Sequence, residues 1–306
     1  MQTISVTAII TTYKRDVSIL KRAIDSVFNQ TFKDIELIVI NDCPDFEGNT
    51  SIDELISSYQ KKITYLFNET NIGANASRNR GVFESQNDYI AFLDDDDEWL
   101  PNKIEESSKY FSNDIGLVYS DILIIENERE RYFKKKEYDK NDILYHLLRG
   151  NFVGGFSGVV FKKVHFLSCN GLDTSLQSYQ DIDLWIRMAS MCQFYHVNKP
   201  LIKYYITDDS ISLNVNKKVN GTYMLLKKYE NEYKRFPENR RYRINSEIKY
   251  YLKNGWTKEA LKMYRDEYSR DFFLLSRNLS CIFIGSLKRI AFKALKFKDK
   301  VGGSLR

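Results

Sequence analysis

Short apolar runs alternate with amphipathic segments through the first 120 residues, and this rhythm restricts the fold more than any other feature of the chain. Ile4 to Thr11 reads as a buried strand. Asp16 to Phe28 sets Ile19, Leu20, Ala23, Ile24, Val27 and Phe28 on one helical face. Ile35 to Ile40 is a second apolar run, closed by the turn signal Asn41-Asp42-Cys43-Pro44. Thr50 or Ser51 is expected to cap a helix through Tyr59. Ile63 to Phe67 is a third strand, Ala74 to Ser85 a polar helix, and Tyr89 to Leu93 a fourth strand. Pro101 suits the opening of the next helix, and Gly116 to Ser120 is a fifth strand. Such β-α-β-α order predicts an α/β fold, Rossmann-like, with a mostly parallel sheet flanked by helices.

The rhythm changes after residue 121. Residues 122–150 are charged and are expected to form a connection plus a helix from Asp142 to Arg149. Residues 151–215 mix short strands with one strong helix from Asp181 to Met191. From Val215 onward the pattern is helical, with Asn254-Gly255-Trp256 as a joint between helices.

At 306 residues with 43% apolar and 28% charged side chains, the chain is long enough for a real core and too apolar for wholesale disorder. No apolar run reaches 18 residues, so no transmembrane helix is predicted, and the N-terminus shows no signal-peptide pattern. Four scattered cysteines without a C-x-x-C pair argue against a zinc knuckle or disulfide framework, and fit a reducing, cytoplasmic setting. Charge is unevenly spread. Residues 270–306 hold nine Lys/Arg and two Asp/Glu, whereas the first 269 residues hold 37 basic and 39 acidic side chains.

In a parallel α/β sheet, ligands bind beyond the carboxyl ends of the strands, near a switch in strand order. Strand one ends Thr11-Thr12-Tyr13-Lys14-Arg15, strand two Asn41-Asp42, and strand four Asp94-Asp95-Asp96-Asp97. An aromatic ring, cations and carboxylates thus meet on one rim. Adjacent carboxylates repel, by roughly 4 kcal/mol per close pair at an effective dielectric near 20. A hard divalent ion, Mn²⁺ or Mg²⁺, would relieve this and takes one or two carboxylates plus substrate phosphates. Only one or two of the four acids can face it, and the others must hydrogen-bond elsewhere.

Four segments together resemble the family 2 glycosyltransferases: VTAIITTYKR (6–15), SVFNQTFKDIELIVIND (26–42), NIGANASRNRG (71–81) and FLDDDDEWLP (92–101). The resemblance implies a GT-A fold, a nucleotide-sugar donor and an inverting transfer. It assigns residues 1–121 to a nucleotide-sugar-binding half, 122–214 to the acceptor-binding half of the same domain, and 215–306 to a helical C-terminal extension. It implies that Thr11 and Tyr13 hold the nucleobase, that Asp42 reads its edge, and that Arg15 and Arg78 lie near the nucleotide. Asp94, Asp95 and Asp96 match the family's D-x-D region, which puts Asp94 or Asp95 near the ribose and makes Asp96 the expected metal ligand, for Mn²⁺ or Mg²⁺.

The second half matches the family less fully. Gln180-Asp181-Ile182-Asp183-Leu184-Trp185-Ile186-Arg187 resembles the helix start whose acid is the general base, which makes Asp181 the catalytic residue; Gln180 replaces the acid usual before it. Asp181 and Asp183 also suit a helix N-terminus, and Leu184 and Trp185 read as packing residues. Gly154-Gly155 reads either as a close approach to sugar or as a plain turn. At 204–212, Tyr205 and Thr207 stand where relatives have arginine and histidine; Asp208, Asp209 or a water could fill the histidine's place, and neither aspartate is assigned as a ligand in what reads as a surface loop.

The tail from Cys281 to Phe297 has apolar residues at helical spacing against Lys288, Arg289, Lys293 and Lys296, a pattern that suits an anionic membrane surface or packing on the body. The expected partners are a nucleotide sugar and a glycan or lipid-linked acceptor in surface polysaccharide (O-antigen or capsule) synthesis, with no nucleic acid. There is no G-x-G-x-x-G after strand one and no G-x-x-x-x-G-K-[ST], which excludes dinucleotide dehydrogenases and P-loop kinases. A sugar nucleotidyltransferase is disfavoured because TTYKRDVS lacks glycine. A non-catalytic binding protein is disfavoured because the acids at 94–96 and 181 are intact.

Overall fold

The computed structural model describes residues 4–60, 62–206 and 214–268. Two compact units divide at Gly221. Unit one runs β1 (Val6–Thr12), α1 (Val17–Phe28), β2 (Ile35–Asn41), α2 (Asn49–Ser58), β3 (Ile63–Phe67), α3 (Ala74–Glu84), β4 (Tyr89–Asp94), β5 (Glu98–Trp99), α4 (Lys103–Ser108), β6 (Ile115–Glu126), β7 (Arg129–Phe133), α5 (Ile143–Arg149), β8 (Val159–Lys162), α6 (Lys163–Ser168), α7 (Gln180–Met188) and β9 (Gln193–Tyr205). Helix α8 (Val215–Lys228) contains the division, and α9 (Glu230–Arg235), α10 (Pro237–Lys253) and α11 (Thr257–Tyr268) follow.

The sheet order is β3-β2-β1-β4-β8-β6-β9-β5, with β7 paired to β6. The first four strands are parallel, as expected. The sheet as a whole is mixed: β8 runs antiparallel to both β4 and β6, while β6 and β9 are parallel. The parallel reading thus holds for the βαβ half and stops where the α/β rhythm stops.

The strands of the parallel half are buried on both faces, which is why they read as unbroken apolar runs. Val6, Ala8 and Ile10 pack with Leu20, Ala23, Ile24 and Val27 of α1 and Ile52, Leu55 and Ile56 of α2. Alternate residues point the other way. There, a Cβ at Gly81 of α3 would stand 2.7 Å from Ile9 and 2.7 Å from Ile40, so the missing side chain lets α3 lie directly on β1 and β2. Phe92 meets Phe156, Phe161 and Phe166 at ring separations of 5.4, 5.3 and 6.0 Å, and Trp185 of α7 closes this aromatic cluster on Phe156 at 5.7 Å.

Three local expectations change. Thr50 and Ser51 lie inside α2, whose N-cap is Gly48. Pro101 sits ahead of α4, whose N-cap is Asn102. Residues 122–133 are no loose connection but the end of β6 and a hairpin to β7. Its turn residues Asn127 and Glu128 have φ +49° and +62°, the positive pair that a tight hairpin needs.

In unit two, Tyr251 and Met263 are fully buried, and Arg240 forms an ion pair with Glu267. The joint at 254–256 is a Schellman motif: Trp256 N–H donates to Tyr251 O (2.8 Å), Gly255 N–H donates to Leu252 O (3.1 Å), and Gly255 has φ +77°. The basic tail, Thr207, Asp208 and Asp209 lie outside the described residues.

Candidate active site

Strand register builds the rim. Thr11 pairs with Ile40 of β2 and Asp94 of β4, and Thr12 pairs with Asn41. Strand order reverses at β1, since β2 and β3 lie on one side and β4 on the other. The crevice between the β1 and β4 ends is therefore the switch point where α/β sheets bind ligands.

The four aspartates divide by partner. Asp94 Oδ1 accepts from Arg78 Nη2 at 2.6 Å. Asp95 is buried and lies 2.8 Å from Arg15 Nη2; the same nitrogen is 3.2 Å from Asp96 Oδ2. Asp97 turns inward, accepting from Ser157 Oγ at 2.6 Å and from Tyr205 N–H at 3.4 Å. Burial pushes the Asp95 carboxyl up despite Arg15. Burial, then the charges of Asp94 and Asp95, push Asp96 up to about 6. Burial and Asp94 push Asp97 well above the usual carboxylate range. Arg22 Nη2 donates to the Asp96 carbonyl at 2.6 Å, and its guanidinium lies 3.7 Å from the Tyr205 ring centre.

Around the acids stand the other sequence-predicted residues. Tyr13 is 47% exposed, with Lys14 Nζ 5.5 Å from its ring centre. Arg78 is nearly buried over the Phe156 ring, and its Nη1 has no hydrogen-bond partner. Asp42 does something the sequence did not show. Its Oδ1 accepts from Asn68 Nδ2 (2.8 Å) and Ile72 N–H (2.9 Å), and its Oδ2 accepts from Gly73 N–H (2.8 Å). A carboxylate offers about four acceptor positions, so Asp42 spends three of them fixing the loop from β3 to α3.

Asp181 is the second residue of α7. Its Oδ2 accepts from Asn151 Nδ2 at 2.8 Å and its Oδ1 from Ile182 N–H at 2.7 Å. Burial raises its carboxyl, Lys218 opposes that rise, and Asp94 adds to it, so Asp181 lies within the field of the rim. Asp183 belongs elsewhere: fully buried, it pairs with Arg187 at 2.6 Å. Gly154 has φ +88°, and what approaches it is Lys135: a Cβ there would stand 2.7 Å from Lys135 Nζ. Sequence reasoning missed Asn151, Lys135, Ser157 and Arg22. Only the Asn-to-Gly spacing at 151–154, a common turn signal, pointed at any of them.

No group of three or more His, Cys, Asp or Glu side chains forms a metal cage among the described residues. The rim instead offers hard oxygen donors with uncompensated charge, three carboxylates at 94–96 against the guanidiniums of Arg15 and Arg78. This donor set fits a divalent cation shared with a diphosphate.

The sequence profile of Glycosyl transferase family 2 matches residues 7–167. The chain belongs to this family. An uncharacterised glycosyltransferase of Methanocaldococcus jannaschii is 32% identical over 76% of this chain and 82% of its own length. A GalNAc(5)-diNAcBac-PP-undecaprenol beta-1,3-glucosyltransferase of Campylobacter jejuni is 27% identical over 73% of this chain and 74% of its own. The fold is similar to that of S. aureus TarS 1-349 in complex with UDP-GlcNAc, with TM-score 0.56 and 14% identity over 82% of this chain and 81% of that one. The family 2 chain described here is thus a GT-A-type glycosyltransferase with helical residues after its sheet domain.

Proposed function

We propose that this glycosyltransferase moves a hexose from a UDP-sugar to a hydroxyl of a glycan or lipid-linked acceptor, with inversion, in surface polysaccharide (O-antigen or capsule) synthesis. The observation that carries the reading is the convergence of Thr11, Tyr13, Arg15, Arg78 and the acids of 94–96 at the switch point, with Asp181 electrostatically in reach of Asp94. The names of relatives that act on an undecaprenol-linked glycan and in O-antigen biosynthesis support the acceptor class.

Tyr13 stacks on the base. Arg78, with one unpartnered nitrogen, and Arg15 face the diphosphate. Asp96 and its neighbours would hold Mn²⁺ or Mg²⁺, which would neutralise charge on the leaving nucleoside diphosphate. Asp181 removes the proton from the acceptor hydroxyl. The acceptor oxygen bonds to the anomeric carbon from the face opposite the diphosphate. The anomeric C–O bond breaks as that bond forms, and its electrons leave with the diphosphate. A carboxyl lifted by burial is a better proton acceptor than a solvated one, which suits this role.

No helix among the described residues is long and apolar enough to cross a membrane. The basic residues of 270–306 support attachment to the anionic inner face of the cell membrane from the cytoplasm. Co-sedimentation with phosphatidylglycerol vesicles, with and without residues 270–306, tests that attachment. A thermal-shift series with UDP-, GDP- and dTDP-sugars, with and without Mn²⁺, tests the donor: binding to the folded state raises Tm. No shift with any of them would remove the nucleotide-sugar reading of the rim.

A further inference from the structure

A buried lysine lies behind the turn at 151–155, outside every role assigned above. Lys135 follows β7 and is almost fully buried. Its backbone N–H donates to Asp121 Oδ1 at 2.7 Å. That buried carboxylate also accepts from Tyr132 Oη at 2.5 Å and lies 2.7 Å from His196 Nε2. Lys135 Nζ donates to the carbonyl of Val153. A Cβ at Gly154 or Gly158 would stand 2.7 or 3.0 Å from Nζ, so two glycines leave the space that the ammonium fills.

The contact continues to Asp181 without a gap. Val153 precedes Gly154, whose N–H donates to Asn151 Oδ1 at 2.8 Å. Gly154 O accepts from Trp185 Nε1 at 3.0 Å. Asn151, closed on itself in this way, presents Nδ2 to Asp181. We propose that Lys135 is a positioning residue for Asp181: its ammonium pins the 151–155 turn through Val153 and places a positive charge behind the carboxylate that the turn holds.

The charges that act most on the pair come from several elements. Asp121, Asp181 and Asp97 act on Lys135, and the buried Lys103 of α4 lies within its field. Lys218 and Asp94 act on Asp181 from α8 and β4. Burial brings Lys135 down to about 8, against the pull of the three acids.

The inference rests on the reading of Asp181 as the base, and its test needs no substrate. The indole N–H of Trp185, identified by its loss in Trp185→Phe, reports the turn. The side-chain carboxyl of Asp181 in ¹³C-aspartate protein, identified by its loss in Asp181→Asn, reports the target. In Lys135→Met the indole proton should move upfield, and Asp181 should titrate at a higher pH, because a neighbouring cation and a well-placed donor both favour the ionised form. Trp256, in the other unit, should not respond. If Lys135→Met fails to fold, Gly158→Ala, which crowds Nζ without a positive-φ penalty, should show the same pair of changes more weakly. In the wild type the Trp185 signal should follow a transition near pH 8. Unchanged Trp185 and Asp181 signals in a folded variant would overturn the proposal, and so would movement of Trp185 with Asp181 unmoved. Normal transfer by Asp181→Asn would instead remove the base assignment, so the two failures are distinguishable.

Discussion

The acids at the end of β4 and the acid at the start of α7 are held in opposite ways. Asp94, Asp95 and Asp96 each touch a guanidinium. Asp181 touches an amide and a backbone N–H, and the charge of Lys218 acts on it as well. Contact with arginine favours the charged form of a carboxylate, yet burial outweighs Arg15 at Asp95 and lifts Asp96 to about 6. One held by neutral donors in a buried place keeps its affinity for a proton. What separates the two places is therefore the partner: guanidiniums at 94–96, an amide and a backbone N–H at Asp181.

Asp181→Asn should separate the two kinds of acid most sharply. We expect transfer to fall about 10³-fold, within the span general bases supply, while a titration with UDP-sugar and Mn²⁺ shows unchanged donor affinity. A loss of donor binding would mean that Asp181 belongs with the rim acids. Arg78→Ala tests the other side: donor affinity should weaken about 10- to 100-fold, because an anionic diphosphate loses its buried partner, and turnover at saturating donor should change less. Asn151→Ala is milder. Removing one neutral donor from Asp181, worth about 1 kcal/mol, should lower turnover roughly tenfold or less and leave KM for donor alone. The smallest effect extends the contrast to cations. Lys103 is fully buried with Nζ unpartnered, and burial brings it down to about 7. Because the unfolded chain binds the proton more tightly, stability rises with pH above 7. Lys103→Met should therefore stabilise the fold by about 1 kcal/mol in urea at pH 7, with a smaller gain at pH 9.

The rim was legible because parallel strands carry their motif residues to a common end. Once β1, β2 and β4 are placed, Thr11, Asn41 and Asp94 must be neighbours. The division of labour among the four aspartates was legible only in outline. That two or more must bond elsewhere follows from repulsion, but that Asp97 finds Ser157, 60 residues away in sequence, depends on an antiparallel β8 that no α/β rhythm foretells. The β6–β7 hairpin was hidden for another reason. All five residues of β7 are exposed, so no apolar alternation marks the strand, and its only local signal was Asn127 in the turn. Lys135 was invisible because a lysine in a basic run reads as solvated surface, whereas here two glycines 19 and 23 positions later make room for it.

The bare backbone at Gly81 has a bearing on specificity that reaches beyond packing. Gly81 and Arg78 are three residues apart on α3 and so share a face. The depth at which the helix rests on Ile9 and Ile40 therefore sets how far the guanidinium of Arg78 extends over the crevice. A single methyl at position 81 would act as a shim under the helix, lifting the arginine off Asp94 and resizing the crevice between the β1 and β4 ends.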